Sequence, residues 1–328
     1  MAARHFDVFN GDADGLCALQ QLRLAQPRDA VPVTGTKRDI ALLQRVPAVS
    51  GDSVTVLDVS LDRNRDALLQ LLRQRVGVEY FDHHYAGPVP AHPSLRAWLD
   101  PSPETCTSAL VDRYLQGAHR AWAVVGAFGD ALPATAAQLA SSLGFTPSQQ
   151  EALRALGEAI NYNAYGENES ELLVPPARLA SLMRPYRDPF AFAAESDVAP
   201  ALVQRQREDM AHAETVEPLH TGAVADVYLL PDAAWARRVQ GSFAHALCQR
   251  APLRAHAVLC PRRDGALSVS VRAPRARPNG AEVLCRTFAG GGGRAAAAGI
   301  DALPRSELPR LLQALDAAFA IPARPEGN

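Results

Sequence analysis

The amino-acid sequence predicts an α/β protein in which an N-terminal domain on a parallel sheet precedes a smaller C-terminal α/β domain. Three observations carry that expectation. Between Phe6 and Asp130, short apolar runs of β-favouring residues alternate with helix-patterned stretches, as in successive βα units. Carboxylates or imidazoles follow these runs, where open α/β sheets place their ligands. The length of 328 residues exceeds the size at which one core usually stops growing, so two domains are expected. Their expected limits are 1–190 and 219–322, with a helical linker over 191–218 and a tail at 323–328.

Composition narrows the function. Hydrophobic residues make up 48 % of the chain and charged residues 21 %, ordinary for an enzyme with ample surface to bury. Thirty-three basic residues against 35 acidic give a net charge of -2, too balanced for a chain held on long nucleic acid by a general positive field. A local basic groove remains compatible. Lys37 is the only lysine, every other basic residue being arginine, which reads mostly as a codon bias. The opening MAARHFDVFNGDADG meets acidic residues before any apolar run, so no signal peptide is expected, and no stretch approaches the roughly 20 apolar residues of a membrane span. A cytoplasmic location with no membrane partner follows, and homodimerisation stays open. Cys17, Cys106, Cys248, Cys260 and Cys285 form no CxxC pair and are expected to be buried thiols.

In order, Phe6 to Phe9 alternates as a first strand, and Asn10-Gly11-Asp12-Ala13-Asp14-Gly15 follows as a turn, with a helix from Leu16. Two carboxylates this close in a strand-to-helix loop can converge on a metal. A capping aspartate with a solvated neighbour has the same signature. Val31 to Gly35 is a second strand, and Lys37 and Arg38 beyond it could meet a substrate phosphate or merely form a solvated turn. Val54 to Leu57 is a third strand closed by Asp58, a carboxylate costly to bury unless paired or metal-bound. Asp62 is expected to cap the next helix. Val76 to Phe81 is the fourth strand, ending in Asp82-His83-His84. Thr105 to Val111 opens a helix whose amides suit a phosphate or a cap. Ala121 to Phe128 is another apolar run, with Asp130 after it. These acidic sites and histidines supply about six hard donors, enough for two octahedral divalent ions with water. A helix begins at Thr146 and Pro147 and ends near Gly166; Asn161, Tyr162 and Asn163 could line a cleft or simply close that helix.

The second domain reads as strand Val224 to Leu230, helix Trp235 to Arg250, strands Ala255 to Cys260 and Leu267 to Val271, and a short helix Glu282 to Phe288. Gly290 to Gly293 is expected to be a loop whose amides approach an anion, because an Ala-rich apolar run follows at once. Arg272 and Arg294 could clamp a phosphate or carboxylate bidentately.

Asp12-Ala13-Asp14-Gly15, Asp58, Asp82-His83-His84, Asp130 after Phe128-Gly129, and Ser270-Val271-Arg272 with Gly290 to Gly299 together resemble the DHH phosphoesterase superfamily. The second domain is similar to the DHHA1 domain. The likeness spans nearly the whole chain in order and extends to oligoribonuclease, phosphoadenosine phosphatase and single-strand exonuclease members. It implies a cleft between the domains with two divalent ions, Mn2+ preferred over Mg2+. Asp12 and Asp14 would each bind one ion, Asp58 would bridge them, and His83 and Asp130 would complete the second site. His84 would meet the scissile phosphate, with Asp82 orienting the pair. Lys37, Arg38, Ser270, Arg272, Gly291, Gly292, Gly293 and Arg294 would hold the substrate. Two positions depart from the family pattern. Val8 stands where many small-substrate members carry histidine, with Asn10 near enough to compensate, and Arg294 stands where many glycine loops continue into histidine. The implied activity is hydrolysis of phosphodiesters or phosphomonoesters in short oligonucleotides or small nucleotides. The alternatives are a single-stranded DNA or RNA exonuclease and a nucleotide-binding protein whose metal site has decayed.

Overall fold

A computed structural model describes residues 3–320, so part of the expected second domain's end and the whole 323–328 tail lie outside the described residues. The chain divides into two compact units between Arg205 and Gln206, inside the segment expected to link them. The first unit alternates β1 (His5–Phe9), α1 (Ala13–Ala25), β2 (Val31–Val33), β3 (Ser53–Leu57), α2 (Arg65–Arg73), β4 (Gly77–Asp82) and β5 (Leu95–Leu99). Helices α3 (Thr107–Tyr114), α4 (Arg120–Gly129), α5 (Pro133–Ser142), α6 (Pro147–Asn163), α7 (Pro176–Met183) and α8 (Pro189–Glu195) follow, and α9 (Val198–Glu214) crosses the boundary.

The five strands are all parallel, in the order β2-β1-β3-β4-β5. Side chains alternate across this sheet and build a core on each face. Phe6, Val8, Val54, Val56, Val78 and Tyr80 pack on one side with Leu68, Leu71 and Leu72 of α2. Phe9, Leu57 and Phe81 pack on the other with Leu16 of α1 and Val124, Val125 and Phe128 of α4. Burial on both faces explains why these strands read as continuous apolar runs. The chain winds outwards from β1 to β2 and then back across to β3, so its direction reverses between β1 and β3. Open α/β sheets bind their ligands at such a reversal, beyond the carboxyl ends of the strands. Asp12 follows one flanking strand and Asp58 the other.

The second unit begins with the end of α9, where Asp209 pairs with Arg238 at 2.8 Å. It then adds β6 (His220–Thr221), β7 (Ala225–Leu229), α10 (Ala234–Arg250), β8 (Ala255–Pro261), β9 (Leu267–Arg272), α11 (Ala281–Arg286), β10 (Gly291–Gly293), β11 (Ala297–Leu303) and α12 (Leu308–Phe319). Its sheet is mixed, in the order β10-β11-β9-β8-β7-β6, over a core that includes Val227, Leu259, Val271, Ile300, Leu311 and Leu315.

Three local expectations are corrected, and the element that carries Asp130 is defined. Helix α1 starts at Ala13, not Leu16, because Asp12 caps it; Asp14 therefore lies in its first turn. Asp62 caps nothing: it sits inside a short 3-10 turn, Asp62–Asn64, and approaches Arg65 at 3.4 Å. The apolar run before Asp130 is helix α4, and Asp130 is its C-cap. The glycine run is not a loop, since Gly291–Gly293 pairs antiparallel with Ala298 to Ile300. Glycine is required there by close approach: a Cβ on Gly291 would lie 1.7 Å from the Cys285 carbonyl oxygen, and one on Gly293 2.5 Å from the Ala298 Cα.

Close backbone contact also sets Asp130. A Cβ on Gly129 would meet Ala13 at 2.3 Å, and one on Gly157 would meet the Val125 carbonyl oxygen at 2.3 Å. Those glycines let α1, α4 and α6 touch directly beneath the carboxylates. Gly157→Ala should accordingly cost about 1–3 kcal/mol through overpacking, measured by urea denaturation; an unchanged midpoint would show that the crossing tolerates the extra methyl.

Candidate metal centre

Asp58 leaves β3 with a φ of +58°, a left-handed conformation that aspartate tolerates better than most residues but still at a cost. Its amide donates to the Phe81 carbonyl at 3.0 Å, which ties the turn to β4. One carboxylate oxygen, Oδ1, accepts from the Thr107 hydroxyl at 3.1 Å and lies 3.4 Å from His83 Nε2. Burial, together with the charges of Asp12 and Asp14, pushes this carboxyl well above the usual range, against the pull of His83.

Asp14 is clamped from the other side. Its Oδ2 accepts from the Thr107 amide and its Oδ1 from the Ser108 amide, both at 2.7 Å, so it caps α3 from a distant part of the chain. The amides that were candidates for a substrate phosphate are thus already occupied. Asp12 is spent similarly on α1: its Oδ1 accepts from the Asp14 amide at 3.0 Å and the Gly15 amide at 3.1 Å. Asn10 turns its side-chain oxygen onto the Asp12 amide at 3.3 Å, while Val8 is buried in the opposite core.

His83 Nε2 is the hub. Besides Asp58 it faces Asp130 Oδ2 at 3.8 Å and Asp14 Oδ2 at 4.0 Å. Burial alone would lower its pKa, but the hydrogen bond to Asp58 and the charges of Asp14, Asp58 and Asp130 outweigh it and raise the imidazole to about 10. Burial pushes Asp130 up to about 6, with Lys37 holding it back. His84, with 44 % of its side chain exposed, gives its Nδ1 to Asp82 Oδ1 at 2.6 Å. That bond leaves Nε2 as the nitrogen available to a substrate.

Lys37 enters this cluster rather than standing outside it. Its Nζ lies 2.6 Å from Asp12 Oδ2 and 3.9 Å from Asp130 Oδ1, and it donates to Asn161 Oδ1 at 3.0 Å. The ammonium outweighs the effect of burial on Asp12 and holds that carboxyl below the usual range. Arg38 is exposed beside it. Asn161 is thus a site residue that the sequence left undecided, whereas Asn163 closes a loop by accepting from the Leu173 and Val174 amides at 3.0 Å. Thr107 and Ser108 were not singled out as contacts of these carboxylates, and only their place in a hydroxyl-rich helix start hinted at it.

The donor set fits one divalent ion well. Asp14, His83 and Asp130 offer ligand atoms within 4.8 Å of one another, as do Asp58, His83 and His84, and Asp130 Oδ2 is buried without a hydrogen-bond partner. A second ion at Asp12 would have to displace Lys37, because one oxygen of that carboxylate already accepts two amides and the ammonium stands 2.6 Å from the other.

In the second unit, register aligns Gly292 with Gly299 and Gly299 with Ser270 across three strands, and Ala297 with Arg272. Arg272 Nη1 donates to the Ser270 hydroxyl at 3.0 Å and Nη2 to the Gly241 carbonyl at 3.4 Å. Arg294 is exposed at the tip of the β10–β11 hairpin, where its amide donates to the Ala297 carbonyl at 2.8 Å.

A doubly wound sheet with buried carboxylates and a histidine gathered at its switch point defines an α/β protein with a donor set of the kind that suits a hard cation. Solved structures narrow the fold further. RecJ exonuclease bound to manganese superposes with a TM-score of 0.61 at 20 % identity over 97 % of this chain and 90 % of that one. The DHH domain of a member of the s1p family of ribosomal proteins gives 0.65 at 14 % identity, over 98 % and 88 %. The pGpG-specific phosphodiesterase PggH of Vibrio cholerae gives 0.54 at 15 % identity, over 96 % and 98 %. The fold is therefore similar to the two-domain fold of these structures, as the resemblance implied. No protein-family model and no curated protein matches the sequence. No helix among the described residues is long and apolar enough to cross a membrane.

With its pKa raised to about 10, His83 carries a proton at neutral pH in the metal-free protein, and a cation must displace it. Mn2+ affinity should therefore rise by about tenfold per pH unit through the neutral range. Calorimetry in buffers of different ionisation enthalpy would register the released proton, and a pH-independent affinity with no proton release would contradict the assignment of His83.

Proposed function

We propose that the protein is a metal-dependent phosphoesterase that hydrolyses phosphodiester or phosphomonoester bonds of short oligonucleotides or small nucleotides, with Mn2+ preferred over Mg2+. The observation that carries this reading is the convergence of Asp14, Asp58, His83 and Asp130 on one buried point at the switch point of the sheet. A divalent ion held there supplies Lewis acidity and brings a bound water towards a neutral pKa. The chain's own residues do the rest. Asp58, held by the Thr107 hydroxyl, and His83 fix the geometry of that point. His84, anchored through Nδ1 on Asp82, presents Nε2 to a phosphate oxygen. The exposed Arg38 meets a further phosphate. Ser270, Arg272, Arg294 and the Gly291–Gly293 strand recognise the remainder of the substrate. A near-neutral net charge favours a short substrate, because a few phosphates need only a local basic pocket. Val8 in place of a histidine, and the fold shared with an exonuclease, favour single-strand exonuclease action as the second reading.

A hydrolysis screen with Mn2+ over dinucleotides, longer single-stranded RNA and DNA, nucleoside bisphosphates and cyclic dinucleotides tests both. Faster turnover of dinucleotides is expected; faster turnover of long strands would favour the exonuclease, and no turnover of any would leave a binding protein. Asp82→Asn should lower activity about 10–100-fold, as loss of an orienting partner does, and full activity would remove Asp82 from the site. Arg272→Ala is expected to raise KM while leaving kcat largely unchanged; the converse pattern would place Arg272 in the chemical step instead.

A further inference from the structure

We propose that this centre takes a single divalent ion and that the Lys37 ammonium occupies the place of a second. The inference rests on the metal-dependent reading above and names the cations of that site. Lys37 Nζ is surrounded by oxygens of Asp12 at 2.6 Å, Asn161 at 3.0 Å and Asp130 at 3.9 Å, a cradle of the kind that would otherwise receive a metal. The other Asp12 oxygen already accepts two amides at the start of α1, so the one that faces the ammonium is the only Asp12 oxygen a cation could use. Asp130 divides its oxygens between the two positions, Oδ1 towards Lys37 and Oδ2 towards His83.

The residue type agrees with the position. Lys37 is the only lysine in a chain that uses arginine at every other basic position. An ammonium is a compact point charge on a slender stem and fits an ion-sized hole, whereas a planar guanidinium does not. A general preference for arginine therefore stops where the shape of the hole requires the smaller cation. The segment that delivers Lys37 is itself fixed. Its amide donates to the Ala164 carbonyl at 2.9 Å, and the Asp39 carboxylate accepts from the preceding Thr36 amide at 2.8 Å. Tyr165 flanks the ammonium with its ring centroid 5.6 Å away.

The functional consequence is a division of labour between the cations. The ammonium can neutralise a phosphate oxygen and donate hydrogen bonds to it, but it cannot ligate and acidify a water as a metal does. Water activation then belongs wholly to the position lined by Asp14, Asp58, His83 and Asp130.

Counting Mn2+ on the purified full chain, by calorimetry and elemental analysis with electron paramagnetic resonance of the bound ion, decides the matter. The expected result is one tight ion per chain with the spectrum of an isolated Mn2+. In Lys37→Met the vacated cradle should admit a second ion, with the exchange-coupled spectrum of a pair about 3.5–4 Å apart. Two tight ions in the unmodified protein, or one in both proteins, would overturn the proposal while leaving the phosphoesterase reading intact. No tight ion and no hydrolysis would end both. Should Lys37→Met fail to fold, as circular dichroism would reveal, the count on the unmodified chain decides alone.

Discussion

Negative charge confined in a small buried space is the constraint on which the first unit depends. Asp12, Asp14 and Asp58 are almost wholly buried and Asp130 mostly so, and burial with the neighbouring charges pushes the Asp58 and Asp130 carboxyls up. Such a cluster is tolerated only if each oxygen finds a donor or a cation. The chain meets this with two helix N-termini, a threonine hydroxyl, an imidazole and an ammonium. Asp14 and Asp12 also lie at the positive ends of α3 and α1, where partial charges favour carboxylates. The arrangement thus stabilises local structure, and around His83 the imidazole itself is the group that faces the carboxylates.

Much of this was legible in the sequence. The four strands that end near the site follow from the spacing of apolar residues, because burial on both faces of a parallel sheet leaves a strong pattern, whereas β5, β11 and α12 were not read from the sequence. The acidic residues could be picked out because each ends an apolar run. What the sequence did not reveal is how each oxygen is used. Asp12 and Asp14 present the same dipeptide signature whether they cap helices, bind metal or do both, and the structure has both capping. Lys37 read as a contact for substrate because it follows a strand; only the fold brings it within reach of Asn161, over a hundred positions away.

The glycine run shows the same limit from the other side. Successive glycines look like a flexible or anion-binding loop by conformational freedom alone. Here Gly291 to Gly293 form an edge strand. Close approach of the Cys285 carbonyl and the Ala298 backbone selects glycine at 291 and 293, and positive φ favours it at 290 and 293.

Asp14 carries a consequence for how this protein can be studied. Because both of its oxygens hold the first turn of α3, replacing it removes a structural clasp as well as a candidate ligand. A dead allele made there would therefore confuse a silent enzyme with a loosened one. The proposed chemistry is tested more cleanly at His84, whose ring is partly exposed and whose one hydrogen bond is to Asp82 rather than to a helix end.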